Sequence, residues 1–193
     1  MSKTKKQFTS DFPAKLVVTS MNWGDLMLNP KTTQQINDIK LWLNEVHSFK
    51  ERSGADKAVK PGYIALFYGP SGTEKTLAAT LLGKQYQRDV YYIDLSQDVS
   101  NYIGETEKNL RTILNEAEGN NYILFFDEAD ALFGKRSKEF FDMSANQKVS
   151  YLLQLVEDFP GLIIFAANNK SNIDQAFLRR LNVIIHFPIP KTK

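Results

Sequence analysis

The sequence predicts an α/β fold, a three-layer sandwich in which a five-stranded, mainly parallel sheet lies between helices on both faces. Three observations carry that reading. Short apolar runs alternate with stretches of helical spacing, the order expected of repeated strand-helix-strand units. The runs are apolar at nearly every position, as strands covered on both faces must be. Of the 193 residues, 42% are hydrophobic, which suffices for one sizeable core in one domain.

Residues 1–10 are polar and basic without an apolar stretch, so they read as neither a signal peptide nor a membrane anchor and are expected to fray. Residues 1–20 are therefore expected to form a flexible N-terminal segment, with the folded domain at 21–193. Thr32 opens a helical pattern with apolar residues at Ile36, Ile39, Leu43 and Val46, an amphipathic helix resting on the sheet. Residues 63–68 form the first strand, bounded by Pro61 and Gly62, and good helix formers occupy 76–82. Four more strands are expected at 90–95, 122–126, 162–166 and 183–187, separated by helical patterns at 105–118, 145–159 and 174–180.

Between the first strand and its helix stand Gly69, Pro70, Ser71, Gly72, Thr73, Glu74, Lys75 and Thr76. In the pattern G-x-x-x-x-G-K-[ST], backbone N–H groups curl around phosphates, lysine reaches the β- and γ-phosphates, and the hydroxyl holds Mg²⁺. The following helix adds the positive end of its dipole. Here Glu74 stands where the second glycine belongs, and its charge opposes a phosphate. Like charges at roughly 4 Å in an effective dielectric near 20 repel by about 4 kcal/mol, several hundredfold in affinity if nothing compensates. The strand at 122–126 delivers Asp127 and Glu128 to the same sheet edge. Asp127 suits Mg²⁺ held through water, and Glu128 suits a general base that deprotonates an attacking water.

These blocks, together with Tyr102-Ile103-Gly104-Glu105-Thr106-Glu107, Ala166-Ala167-Asn168 and Phe177-Leu178-Arg179-Arg180, resemble the AAA family of ATPases. The likeness is to the bacterial single-ring type, whose loop usually reads GPPGTGKT. It extends from about residue 12 to residue 190. The resemblance implies a P-loop NTPase sandwich that binds ATP and Mg²⁺, with Leu77 joining residues 69–76 around the nucleotide. It implies that Asn168 senses the γ-phosphate or the attacking water, and that Arg179 and Arg180 act on the nucleotide of a neighbouring subunit. Tyr102 and Ile103 would form a pore loop that grips a polypeptide at the centre of a homo-oligomeric ring. Trp23 and Leu26 fall in the segment that lines the adenine pocket, where ordinary core packing is an equal reading. Family members continue past the last strand into a small helical lid. This sequence stops at residue 193, before any lid, as a fragment of a longer chain or a lidless form would.

The string Asp127-Glu128-Ala129-Asp130 also marks a class of RNA helicases, but these carry a second recombinase-like domain for which the chain has no room. The balance of 24 basic against 22 acidic residues, a net charge of +2, argues against a nucleic-acid partner. The clusters at residues 3–6 and 135–138 read as solvated charge. No run is apolar enough to span a membrane. The absence of cysteine excludes disulfide and thiol chemistry and is compatible with a reducing cytoplasm. His47 and His186 have no metal-binding spacing. Three functions remain open: an ATPase that remodels or threads protein, a degenerate subunit kept for assembly with ATP binding impaired by Glu74, and a DNA-handling relative such as a clamp loader.

Overall fold

The computed structural model describes residues 14–53, 62–96, 106–134 and 143–189. Its centre is one sheet of six strands, β1 (Ala14–Val17), β2 (Tyr63–Tyr68), β3 (Val90–Asp94), β4 (Ile123–Asp127), β5 (Leu162–Ala167) and β6 (Val183–His186). They lie in the order β1-β3-β4-β5-β2-β6, and every neighbouring pair is parallel except β1 with β3. The five expected strands are all present, and β1 is an addition. It lies in the stretch read from the sequence as a flexible lead-in, where Ala14 pairs with Ile93 and Val17 with Val90. This edge strand is only partly buried and carries an exposed Lys15, so backbone pairing rather than an apolar run holds it.

The helices are α1 (Pro30–Ser53), α2 (Lys75–Tyr86), α3 (Thr106–Asn120), α4 (Ala129–Phe133), α5 (Met143–Asp158) and α6 (Gln175–Leu178). Helix α1 begins before the expected Thr32 because Asn29 caps it: the Thr32 N–H donates to Asn29 Oδ1 at 2.9 Å, with Pro30 in the first helical position. Strand β5 shows how the sheet serves two cores. Leu162, Ile164 and Ala166 pack with Ile36, Ile39 and Leu43 of α1 and with Ala78, Ala79 and Leu82 of α2. Ile163, Phe165 and Ala167 point the other way, among residues of α3, α4, α5 and α6. On that second face Phe177 stacks on Phe133 with ring centroids 4.1 Å apart and meets Phe165 edge-on, which pins the short α6 to the sheet.

The connection from β2 to α2 turns where a side chain cannot fit. A Cβ on Gly69, whose φ is +152°, would lie 2.0 Å from the Phe187 carbonyl oxygen. The Gly69 N–H donates to the Ala167 carbonyl at 3.2 Å, so the loop leaves the sheet tied to both flanking strands. Gly72 follows with φ +78°. Glu74 is left-handed too, with φ 68° and ψ 23°, at the N-terminal boundary of α2. Its side chain is exposed and makes no capping hydrogen bond. A left-handed conformation costs an L-residue roughly 1–2 kcal/mol, which is the physical reason for glycine in this position of the loop. Comparing two small residues isolates the dihedral from the charge. Glu74→Gly should exceed Glu74→Ala in urea-unfolding stability by about 1 kcal/mol. The reverse order would show that residue 74 does not occupy the left-handed region.

Candidate functional site

Parallel pairing brings the carboxyl ends of β2, β4 and β5 to one edge, and the candidate residues collect there. Thr73 and Lys75 are buried within the loop, whereas Pro70, Ser71 and Gly72 are exposed, and Thr76 and Leu77 lie half-buried in the first turn of α2. The Thr73 hydroxyl donates to the Pro70 carbonyl at 2.8 Å. Lys75 Nζ donates to the carbonyls of Gly69 at 2.7 Å and Pro70 at 3.0 Å. Burial lowers the Lys75 pKa, opposed by the negative charges of Asp127, Glu128 and Asp130. The lysine is therefore held inside the loop by neutral carbonyls, facing three carboxylates.

Asp127 ends β4 with both carboxylate oxygens engaged. Oδ1 accepts the Glu128 N–H at 2.9 Å and Oδ2 accepts the Tyr92 hydroxyl at 3.1 Å. Glu128 itself has φ 55°, a second strained residue, and this turn starts α4. Its pKa is raised by burial first, then by Asp127 and Asp130, while the amide of Asn168 opposes the shift. Asn168, just past β5, donates from Nδ2 towards Glu128 at 3.3 Å and 3.5 Å from its two oxygens. A carboxylate made more basic by its neighbours and oriented by an amide has the properties of a general base. Asp130 Oδ1 is buried and has no hydrogen-bond partner among the described residues.

The donor set fits Mg²⁺. Thr76 and Asp127 offer hard oxygen ligands, and Mg²⁺ is commonly held by one or two carboxylates together with the phosphates of its nucleotide. Among the described residues no group of three or more His, Cys, Asp or Glu side chains could hold a metal ion.

The remaining expected residues lie elsewhere. Arg179 and Arg180 are exposed just past α6, and Arg180 pairs with Glu157 of α5 at 3.2 Å. Among the described residues neither arginine has an ion pair with Asp127 or Glu128 of its own chain. Trp23 lies against α1 and α2, with Lys40 Nζ 3.8 Å from its ring centroid and its indole N–H donating to Gln85 at 2.8 Å. Leu26 is buried in the same core, so both residues have structural contacts. Tyr102 and Ile103 fall outside the described residues, as do the basic clusters at 3–6 and 135–138. His186 stacks on Tyr68. No described helix is long and apolar enough to cross a membrane.

Two contributors escaped the sequence reading. Tyr92 sits in an apolar strand and reveals itself only through the register that places Asp94 of β3 beside Asp127 of β4. Asp130 was legible as part of the acidic string but not as a charge facing Lys75.

Residues 65–189 match the family model described as "ATPase family associated with various cellular activities (AAA)". The chain is 34% identical over 139 residues to the ATPase family gene 2 protein of Schizosaccharomyces pombe, covering 68% of this chain and 17% of that protein. It is 31% identical over 136 residues to the peroxisomal ATPase PEX6 of Saccharomyces cerevisiae, covering 66% of this chain and 13% of that one. The chain thus spans less than a fifth of either relative. A crystal structure of the FIGL-1 AAA domain superposes with a TM-score of 0.70 at 21% identity, covering 95% of this chain and 60% of that one, which is a likeness of fold. The matched stretch runs from within β2 to past β6 and takes in the loop, both acids and Asn168, and the chain belongs to the AAA family of ATPases.

Proposed function

We propose that this chain is the nucleotide-binding domain of an ATPase that couples Mg-ATP hydrolysis to the remodelling or threading of a protein substrate in an oligomeric ring. The observation that carries the reading is the meeting of three elements at Glu128: its carboxylate takes the Asn168 amide at 3.3 Å, its backbone N–H holds Asp127, and Lys75 of the loop lies within its field. A site that had only a structural role would have no need to keep an oriented base beside a buried lysine.

Lys75 would exchange its two carbonyl acceptors for phosphate oxygens, a charge-assisted bond in place of neutral ones. The N–H groups at the start of α2 would receive the remaining phosphate charge. Thr76 and Asp127 would hold Mg²⁺, which when bound neutralises charge on the phosphates. Glu128 would take a proton from water as the water oxygen bonds to the γ-phosphorus. The bond from that phosphorus to its bridging oxygen breaks, releasing ADP and phosphate. Asn168 would fix the orientation of Glu128 and of the water. Arg179 and Arg180 face outward, as groups serving a neighbour's site must. The Arg180–Glu157 pair joins two side chains that are 39% and 41% exposed, worth at most about 1 kcal/mol, and so would not hold Arg180 back.

A second reading is favoured by one residue. Glu74 combines a strained dihedral with a negative charge beside the phosphates, as in a subunit whose nucleotide affinity has fallen while assembly persists. Phosphate release distinguishes the two. Glu128→Gln should lower turnover by at least about a hundredfold while Mg-ATP affinity stays within about threefold. Equal turnover in both proteins would remove Glu128 from the chemistry. Turnover that appears only after Glu74→Gly would support the degenerate subunit. For the substrate, Tyr102→Ala should abolish protein unfolding while most nucleotide turnover survives. Undiminished substrate work would contradict the threading reading and leave the DNA-handling alternative.

A further inference from the structure

We propose that Tyr92 is a positioning residue for Mg²⁺, acting through Asp127. The inference rests on the reading of Asp127 as a Mg²⁺ holder and names a residue that the loop and acid motifs do not contain. Strands β3 and β4 run parallel with Tyr92 beside Phe125 and Asp94 beside Asp127. Side chains two residues apart share a face, so Tyr92, Phe125 and Asp127 belong to one face of the sheet, the side covered by α1 and α2. The Tyr92 ring lies along Phe125, with centroids 5.9 Å apart and planes 24° from parallel. The stacked ring carries its hydroxyl forward by two residues along β4, where it donates to Asp127 Oδ2 at 3.1 Å.

That bond completes a two-sided clamp. The Glu128 N–H fixes Oδ1 from the backbone, and the Tyr92 hydroxyl fixes Oδ2 from the neighbouring strand. A carboxylate held at one oxygen can still swing the other; held at both, it keeps one plane. Remaining lone pairs on the two oxygens are free to receive metal-bound water. Phenylalanine would fill the same ring space, so packing alone gives no role to the hydroxyl. A hydrogen bond to a charged group is also stronger than an ordinary one. The ordinary alternative is a half-buried tyrosine that merely satisfies its hydroxyl, and metal dependence separates the two.

The test is ADP binding by calorimetry over graded Mg²⁺, for the chain and for Tyr92→Phe, with each repeated in excess EDTA. Mn²⁺ occupancy is followed in parallel by electron paramagnetic resonance. Tyr92→Phe should raise the half-saturating Mg²⁺ concentration about tenfold, the effect typical of losing a partner that orients a metal ligand. ADP affinity in EDTA should stay within about twofold, because the clamp acts only through the metal. In an Asp127→Asn background the same change should add nothing. An unchanged Mg²⁺ requirement would overturn the proposal. So would an equal loss of ADP affinity with and without metal, which would assign Tyr92 to packing. If the chain binds ADP too weakly to titrate, the series is run on Glu74→Gly. Binding that is indifferent to Mg²⁺ and to Asp127→Asn would instead overturn the reading of Asp127, and the inference with it.

Discussion

The contact of Gly69 with the Phe187 carbonyl sets where the chain leaves β2, and the rest of the site is built outward from that point. A side chain there would collide with backbone, which cannot rotate away. With Gly69 bonded to Ala167, the loop is fixed between β5 and β6 at the sheet edge that also receives Asp127 and Asn168. The parallel sheet then needs no further device to gather chemistry, because every β-strand but β1 ends on the same side. Loop, acids and amide meet because their strands are neighbours, although their residues are far apart in sequence.

Charge at this edge is arranged against itself. Lys75 is buried among carbonyls, and that burial lowers its pKa, while the negative charges of Asp127, Glu128 and Asp130 act in the opposite direction. Glu128 in turn has its pKa raised, by burial first and then by the charges of Asp127 and Asp130. A strongly anionic ligand carrying its own divalent cation would relieve both imbalances, adding negative charge at the lysine and positive charge at the acids. Glu74 is the exception. It adds a negative charge to the side where a phosphate would bind and occupies a left-handed conformation that favours glycine. Its exposure allows solvent to screen the charge, but the dihedral strain does not depend on solvent.

Features with a local cause were legible in the sequence. The apolar runs of β2 to β6 showed themselves because a strand covered on both faces has no room for polar residues, as the fully buried β5 demonstrates. Lys75, Asp127, Glu128 and Asn168 were legible because the strand or helix that carries each is strongly patterned. Features set by pairing were not. Ala14–Val17 has too few buried residues to announce a strand and exists by virtue of β3. The role of Tyr92 depends on the register of β3 against β4, which no single-strand pattern encodes. The Arg180–Glu157 pair depends on how α5 lies beside α6, which is likewise a matter of packing. The glycine missing at position 74 was legible as a charge. That its replacement sits at φ 68° required the backbone.

The most direct measurement is calorimetric titration of Mg-ATP into the chain, into Glu74→Gly and into Lys75→Ala. The account predicts saturable binding by the chain, affinity tighter by about tenfold or more in Glu74→Gly, and loss of binding in Lys75→Ala. Absence of binding by both the chain and Glu74→Gly would contradict the assignment of residues 69–76 as a phosphate-binding loop, and equal affinity in those two would contradict the opposition of Glu74 to nucleotide.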